Sequence, residues 1–560
     1  MDQLWGLDVE RIQRYLFSVN RLREIRSASH LLDALVTDRS GPILSKHGCA
    51  TAIAAAGNLV AVVDDAEIAQ LEAELGQLFH LTLPGLEFVT AHVVGSLPTF
   101  NNGMKKLAPR LAEAKAGKDP RAIFPHAGPM EYCGLCHAAP ATERHLAPGI
   151  TGKYEFLCAD CGARARFNPN DTRLGTPLAN LERKLIETAQ NAVPGAWKVP
   201  DNLEELLTGE PGAHGTGRVE GLGPRQRYVG LIVADGNRMG AKWMGATLAG
   251  NLRQQAQAAR TSSDAISDCV HQALAAALED TRQFYWGRRG ASGVACLPVM
   301  PLLVGGDDIV VLCRGGMAVA YAASLCPKFG ELTAGNQQIT GVLGQGGLSL
   351  SAGVVIAHHN FPLYRMREIA EDLTCEAKRL SDFLLRRGNG GEAAGAEYGT
   401  LSFLRITSAM FGDLGGERKG RIVKHLDGGN VTRVRKTCCP YVVKRSEQST
   451  MPDVPDIQTL TDAVNLAQGL PSRRLHRAVE WLDLPPSKRS VTSKEETDRL
   501  AWEHKKTWKS ILGKLGCSDD TLCRSNPRPR ELRELESPYP NLYDSESPLP
   551  DLVDLEACYD

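Results

Sequence analysis

The sequence predicts an α+β fold with two βαββαβ domains, a zinc-bearing insert domain between them and a helical C-terminal domain. Three observations carry this prediction. Strand and helix patterns recur in one order within the first 390 residues, two Cys-x-x-Cys pairs lie between the copies, and helical periodicity dominates after about residue 400. A chain of 560 residues is long enough for about four domains.

The first βαββαβ unit is expected over residues 1–100. It opens with a strand that leads into a helix, LWGLDVERIQRYLF, and continues with two short strands about a tight turn, ATAIAAAGNLVAVVDD. A helix follows in IAQLEAELGQLFHLT, where Leu71, Leu75 and Leu78 share one face. The strand LEFVTAHVVG closes the unit.

The second unit is expected over residues 223–395. A strand and turn, RYVGLIVADGNRMG, precede a long helical segment and the hairpin MPLLVGGDDIVVLC. A helix, the strand GLSLSAGVVIAHH and the helix LYRMREIAEDLTCEAKRLSDFLL complete it. The repeated order indicates an internal duplication.

Overlaying the two units shows where they differ. GLDVERIQ lies over VADGNRMG, and AAGNLVAVV lies over GGDDIVVLC, which places Asp8 near Asp235. The same overlay sets Gly57 and Asn58 where the second unit has Asp307 and Asp308. The first unit is therefore expected to keep the shape of the second without its paired acids.

The intervening residues, 101–222, are expected to form a helical linker domain with a zinc site at about 131–164. Two C-x-x-C pairs about twenty residues apart have the spacing of a zinc ribbon. A redox pair needs only one such motif, so a closed, structural site for one Zn²⁺ is favoured over redox chemistry. The expected thiolate ligands are Cys133, Cys136, Cys158 and Cys161.

The paired acids of the second unit are the candidate catalytic groups. Asp307 and Asp308 lie at the tip of an apolar hairpin, and Asp235 ends the neighbouring first strand. Carboxylates that meet at one point hold Mg²⁺, and two such ions stabilise the attacking and leaving oxygens of nucleotidyl transfer. Glycine and aspartate also favour plain β-turns, which is the alternative for the dipeptide alone.

Other residues near these acids are candidate nucleotide contacts. Gly305 and Gly306 leave backbone space for a nucleotide, and the turn at Gly236 and Asn237 opens a helix whose N–H groups suit phosphate. Two further candidates are Lys378, as a phosphate contact, and Ser351, as a residue facing the base. For Lys378 the alternative is a solvated helix face.

Composition and the termini narrow the function classes. A net charge of −1 provides no general attraction to nucleic acid, and no apolar run is long enough for a membrane span. The N-terminus lacks the pattern of a signal peptide, so a cytoplasmic protein with mostly reduced cysteines is expected. Residues 396–530 are expected to be helical, and the acidic, Pro-rich residues 531–560 to form a flexible tail.

The combination of motifs resembles one family. The N-terminal segment, the two-knuckle insert, LIVADGNRMG, LLVGGDDIVVLC and SAGVVIAHHNFPLYRMREIAEDLTCEAK follow the order seen in the large subunit of type III CRISPR effector complexes, CRISPR-associated protein ten. The resemblance covers about residues 1 to 390. It implies two ferredoxin-like palm domains of the GGDEF/cyclase type, of which the second is active.

The resemblance also implies an activity and partners. ATP would be the substrate, converted with two Mg²⁺ ions to cyclic oligoadenylate, or a related AMP-containing messenger, when the complex binds target RNA. Other subunits of the complex would be the partners and would make most contacts to guide and target RNA. Many members begin with an HD-type nuclease domain; this sequence begins at the first palm and contains no His-Asp dipeptide, so DNase activity is not expected.

Two alternatives remain from the sequence. The hairpin alone is compatible with a stand-alone diguanylate-type cyclase, although the duplication, the zinc insert and the C-terminal region argue against one. The chain is alternatively a catalytically silent scaffold subunit, as the acid-poor first unit suggests. Intact Asp307 and Asp308 argue against a scaffold.

Overall fold

A computed structural model describes most of the chain. The described residues are 1–55, 57–94, 97–117, 131–146, 154–171, 174–212, 222–282, 293–387, 398–407, 413–427, 430–444, 454–468, 470, 472–483, 502–515, 517, 518, 522–524 and 545–556. Among these residues, no helix is both long enough and apolar enough to cross a membrane.

The first palm is a four-stranded sheet in the order β2-β3-β1-β4, with antiparallel neighbours. A short π-helical turn, Leu35–Arg39, joins its second and third helices. Its elements are β1 (Asp2–Val9), α1 (Ile12–Leu16), α2 (Leu22–Ala34), α3 (Ser40–Lys46), β2 (Ala50–Ala55), β3 (Asn58–Asp64), α4 (Ile68–Thr82), β4 (Phe88–Val93) and α5 (Phe100–Ala116).

The insert that follows is built around the cysteines. A two-stranded antiparallel hairpin joins one Cys-x-x-Cys pair to the other, and the last pair opens a short helix. Its elements are β5 (Glu143–Leu146), β6 (Tyr154–Leu157), α6 (Ala159–Arg166), α7 (Pro177–Ala192), β7 (Ala196–Lys198) and α8 (Leu203–Thr208).

The second palm contains a six-stranded sheet in the order β10-β11-β8-β12-β13-β16, in which β13 (Tyr398–Ile406) and β16 (Tyr441–Lys444) come from the C-terminal part of the chain. Its first four strands repeat the order of the first palm. Its elements are β8 (Tyr228–Gly236), α9 (Met239–Gly245), α10 (Leu252–Asp280), β9 (Val294–Cys296), β10 (Val299–Gly305), β11 (Asp308–Arg314), α11 (Ala318–Gly335), α12 (Gln337–Leu343), β12 (Leu350–His358) and α13 (Leu363–Arg387).

The strand pairing of the two palms corresponds in detail. In the first palm Asp8 pairs with Asn58. In the second, Ala234 pairs with Ile309, so Asp235 and Asp308 come next in register. Both hairpins also break register at the equivalent place, between Thr51 and Ile53 and between Pro301 and Leu303. The structure thus agrees with the overlay of the two units.

Helix α10 connects the two palms. Ala256 and Ala259 of α10 pack against the apolar face of the first sheet, in a core that includes Leu4 and Val60. The end of α10 packs into the larger core of the second palm. A polar contact also stabilises this junction. The Arg253 guanidinium binds the Asp2 carboxylate in a bidentate manner, at 2.7 and 2.9 Å.

The C-terminal part differs from the predicted helical domain. β13 pairs in parallel with β12 and extends the second palm sheet beyond the predicted boundary at residue 395. Its sequence YGTLSFLRI is almost wholly buried, as is typical of a strand covered on both faces. The remaining elements are β13 (Tyr398–Ile406), α14 (Leu414–Gly420), β14 (Ile422–Asp427), β15 (Asn430–Arg435), β16 (Tyr441–Lys444), α15 (Ile457–Ala467), α16 (Ser472–Trp481), α17 (Trp502–Leu515), β17 (Ser545–Glu546) and α18 (Leu549–Glu556).

The end of the chain also differs from the predicted flexible tail. Residues 545–556 lie in β17 and α18, and Leu549 and Leu552 are buried. The Asp551 carboxylate accepts hydrogen bonds from the Tyr441 hydroxyl and the Cys438 backbone N–H, both at 2.7 Å. The acidic composition predicted a flexible tail, but the apolar residues of this segment face the core and one of its acids has buried partners.

Candidate functional site

The three candidate acids lie at one end of the second palm sheet. Asp235 is next to last in the central strand β8, and Asp308 begins the neighbouring strand β11. Since these two residues are opposite each other in the antiparallel register, their side chains emerge on the same face. Asp307 occupies the two-residue turn just before Asp308. The two segments therefore lie side by side at this end of the sheet.

Glycines shape the turn that carries the acids. Gly306 has a φ of 63°, which only glycine adopts readily, and a Cβ there would have open space around it. Gly236 is more constrained, since a Cβ there would lie 2.5 Å from Asp307 Oδ2 and 2.8 Å from its Cβ. The absence of a side chain at residue 236 therefore allows the Asp307 carboxylate to pack against the end of β8.

The electrostatics of this end of the sheet disfavour negative charge. Burial, and then the charge of Asp235, raise the pKa of Asp307 to about 6. Burial and the charges of Asp235, Asp307 and Glu371 raise the pKa of Asp308 to about 7. The site thus concentrates carboxylates that a cation would stabilise in their ionised form.

Lys378 on α13 supplies a positive charge at this position. Its Nζ donates a hydrogen bond to Asp235 Oδ2 at 2.5 Å. The side chains of Lys378 and Asp235 remain 34% and 41% exposed, so both are accessible to a ligand. Glu371 lies seven residues before Lys378 on the same face of α13, and it adds a fourth acid that the sequence reasoning missed.

Helix α13 is held close to the sheet by a glycine and a threonine. A Cβ at Gly353 of β12 would lie 2.2 Å from the backbone oxygen of Ala370, so only glycine permits this approach. The Thr374 hydroxyl donates a hydrogen bond to the backbone oxygen of Val233 at 2.9 Å. These contacts fix the helix that carries Lys378.

The C-terminal part contributes a buried anchor to the same helix. Glu376 Oε2 accepts hydrogen bonds from the Ser402 hydroxyl at 2.5 Å and from Arg418 at 2.7 Å. Although burial raises the pKa of Glu376, the charges of Arg418 and Arg435 lower it to about 2. Glu376 and Lys378, two residues apart on α13, thus contact the C-terminal part and the acidic site, respectively.

Two of the predicted nucleotide contacts, Ser351 and Asn237, form hydrogen bonds within the protein instead. The Ser351 side chain is fully buried, and its hydroxyl donates to Asn237 Oδ1 at 2.6 Å and bonds the Thr400 hydroxyl at 2.7 Å. Asn237 in turn donates from Nδ2 to the Ser349 hydroxyl at 2.9 Å. Because these groups satisfy one another, they fix the turn after Asp235 rather than face a base.

The donor set suits magnesium rather than a softer metal. Aspartate oxygens from two strands are hard ligands, and no cysteine or histidine is needed to complete the set. The three carboxylates do not all lie within 4.8 Å of one another in the described structure.

The four cysteines of the insert do converge. Their sulfur atoms all lie within 4.8 Å of one another, and the Sγ atoms of Cys136 and Cys158 are 3.9 Å apart. The edge of a tetrahedron with metal–sulfur bonds of about 2.3 Å is similar, about 3.8 Å. Backbone N–H groups of Leu135 and Cys161 point to the sulfurs of Cys133 and Cys158. The predicted ligand set is thus assembled, and His137 lies outside it.

The first palm keeps part of the second palm's site. Lys115 of α5 forms an ion pair with Asp8 at 2.6 Å, just as Lys378 of α13 does with Asp235. Arg11 and Arg238, each three residues after these acids, both adopt left-handed backbone conformations. At the hairpin, however, the first palm has Gly57 and Asn58 in place of two acids.

A βαββαβ domain with acids at these two strand ends is the arrangement that the sequence analysis expects of a palm of the nucleotidyl-transfer type. Residues 228–382 match the family described as Cas10/Cmr2, second palm domain, and this segment includes all three acids and Lys378. The match confirms the family resemblance drawn from the sequence. The chain carries a second palm domain of the Cas10/Cmr2 family.

Several solved structures are similar to the chain at low identity. They include the Csm1–Csm4 cassette in complex with cA4 (16% identity, TM-score 0.40), the same cassette in complex with AMPPNP (15%, 0.39) and Csm1 in T.onnurineus (16%, 0.39). Each covers 67% of this chain, which spans 52%, 53% and 52% of those chains respectively. No curated protein matches the chain.

Proposed function

We propose that the second palm transfers AMP units from ATP to make a cyclic oligoadenylate, or a related AMP-containing messenger. The observation that carries this proposal is that Asp235, Asp307 and Asp308 lie at the same end of one sheet, within residues that match a Cas10/Cmr2 second palm. A scaffold has no use for a cluster of carboxylates whose ionised forms the site disfavours.

The acids would hold two Mg²⁺ ions, and the neighbouring lysine would bind phosphate. Bound magnesium would stabilise the charge that develops on the attacking and leaving oxygens. Lys378 is partly exposed and already beside a carboxylate, so an incoming triphosphate is an alternative partner for its ammonium group. The open space at Gly306 leaves the turn accessible from outside.

The rest of the chain would connect this site to an RNA-guided complex. Other subunits of a type III CRISPR complex are the proposed partners, with guide and target RNA bound mostly through them. The insert would bind one Zn²⁺ through Cys133, Cys136, Cys158 and Cys161, in a closed site that stabilises the fold.

The direct test is product identification. Complex purified with this chain is incubated with ATP, Mg²⁺ and target RNA, and the small molecules formed are identified by mass spectrometry. The proposal predicts adenylate products that require target RNA and disappear when Asp307 and Asp308 are both replaced by Asn. ATP that stays intact while the complex binds RNA well contradicts it.

Two other results would assign the chain to the alternatives. A cyclic guanine dinucleotide made from GTP by the chain alone would indicate a diguanylate-type cyclase. Unchanged function of the complex after Asp307→Ala and Asp308→Ala would indicate a scaffold.

A further inference from the structure

The β5–β6 hairpin of the insert has its apolar side on the outside. Arg144 and Leu146 lie opposite Phe156 and Tyr154 in the register, and all four are exposed. Among the described residues nine large hydrophobic side chains are exposed, and three lie on this one hairpin: Leu146 at 65%, Tyr154 at 45% and Phe156 at 43%. An exposed apolar surface of this kind marks an interaction site.

The charges of the hairpin are separated between its two faces. The acids lie on the inner face, where Glu143 binds Arg166 and His145, and Glu155 binds Arg21. On the outer face Arg144 is the charged residue, and its guanidinium carbon lies 3.5 Å from the centroid of the Tyr154 ring. The outer face therefore combines a cation with aromatic rings, while the acids face away and are neutralised.

The hairpin is also held in a fixed position. The backbone N–H of Gly134 bonds the backbone oxygen of Phe156 at 2.9 Å, next to the cysteine cluster. On α6, directly after β6, Asp160 Oδ1 accepts a hydrogen bond from the Tyr15 hydroxyl at 2.6 Å. A surface fixed both to the cysteine cluster and to the first palm can bind a ligand without being ordered first.

From these observations we propose that the outer face of the β5–β6 hairpin binds single-stranded RNA. Tyr154 and Phe156 are two residues apart on one strand, about 6.6 Å, and both are exposed on the outer face, where aromatic rings suit base stacking. Arg144 supplies positive charge for the phosphate backbone and stays beside the stacked ring. This inference goes beyond the proposed nucleotidyl transfer and does not depend on it.

Binding of a labelled RNA by the full-length chain tests this directly. Fluorescence anisotropy with a fluorescein-labelled oligouridine of about ten nucleotides is compared for the wild type and the double variant Tyr154→Ala, Phe156→Ala. We expect binding at least about tenfold weaker in the double variant. Arg144→Gln is expected to weaken binding less and to reduce its dependence on salt.

A matched control uses an exposed tyrosine elsewhere. Tyr364→Ala removes a side chain that is 42% exposed on α13, and this variant should bind the oligouridine as the wild type does. Zinc content and melting temperature of each variant show whether the insert remains folded. Photo-crosslinking with 4-thiouridine RNA should modify the peptide that contains Tyr154 and Phe156.

Any of three results overturns the proposal. The wild-type chain fails to bind the oligouridine, the double variant binds it within about twofold of the wild type, or the crosslinks map away from the hairpin. If the double variant keeps RNA binding and instead fails to copurify with the other subunits, the face docks a protein. Since these assays contain no ATP, a failure here is distinguishable from a failure of the nucleotidyl-transfer proposal.

Discussion

The two palms of this chain share a fold and differ at its most charged point. Both have the same strand order, the same register break in the hairpin, and an acid on the central strand paired with a lysine from the helix after the last strand. Only the second palm adds two acids at the hairpin turn. The comparison separates what the fold requires from what the proposed chemistry requires.

The hairpin acids are not needed for the fold. The first palm closes its hairpin at the equivalent place in the register, where it has Gly57 and Asn58 instead of two acids. In the second palm, burial and neighbouring charges raise the pKa values of Asp307 and Asp308, which means that their ionised forms are unfavourable in the folded chain. A feature that costs stability and is dispensable for folding is explained by a ligand.

The largest expected difference between the palms concerns activity. Asp307→Asn with Asp308→Asn should reduce adenylate product formation by on the order of a thousandfold, because the metal ligands are lost. Asp8→Asn in the first palm should change it by less than about threefold. Rates of ATP conversion in the complex with target RNA measure both. Equal losses in the two variants would mean that the palms do not differ in the proposed way.

The next largest difference is expected in stability, for the glycines that pack against the two lysine-bearing helices, Gly353 and Gly6. A Cβ at Gly353 would meet backbone at 2.2 Å, whereas the nearest atom to a Cβ at Gly6 would be the end of the Leu107 side chain, at 3.0 Å. Gly353→Ala should therefore displace α13 and destabilise the chain by about 1–3 kcal/mol or more, and Gly6→Ala by less. Chemical denaturation gives both values. A larger effect of Gly6→Ala would contradict the described packing.

The lysines should show a smaller contrast in activity. Lys378→Met should lower the rate of product formation by about ten- to a hundredfold through weaker phosphate binding, since charge-assisted hydrogen bonds are worth about 1.5–3 kcal/mol. Lys115→Met should have little effect. Rates measured over a range of ATP concentrations would reveal the loss as an increased KM. An unchanged KM for Lys378→Met would remove the lysine from the proposed phosphate site.

The smallest expected effect is a shift of stability with pH. Folding raises the pKa of the Asp308 carboxyl from 3.8 to about 7, chiefly by burial. Its contribution to stability is therefore present at acidic pH and is lost as pH rises toward 7. Without Mg²⁺, Asp308→Asn should raise the melting temperature at pH 8 by a few degrees and hardly change it at pH 4. In the first palm, Asn58→Asp should lower the melting temperature at pH 8 and hardly change it at pH 4.

Much of this organisation could be predicted from the sequence because it rests on local patterns. Alternating apolar runs gave the order of strands and helices, and the close spacing of Asp307 and Asp308 in a Gly-Gly turn indicated the site. Cys-x-x-Cys pairs indicated their own cluster. In each case residues that are near in sequence carry the signal.

Features that depend on distant contacts were not predictable in this way. Lys115 lies more than a hundred residues after Asp8, and nothing local distinguishes it from a solvated lysine. Glu371 acquires its place beside Asp308 only because Gly353 lets α13 approach the sheet. Ser351 was expected to face a base, but its partner Thr400 comes from β13, a strand outside the predicted palm.

Metal positions in the second palm test the central claim most directly. Crystals or particles of the chain prepared with Mn²⁺ and a non-hydrolysable ATP analogue would locate the ions by anomalous scattering or density. We predict metal bound to Asp235, Asp307 and Asp308, with the triphosphate at Lys378 and no metal at Asp8. A triphosphate bound elsewhere, with Asp235 still paired to Lys378 and no metal between the three acids, would contradict the account.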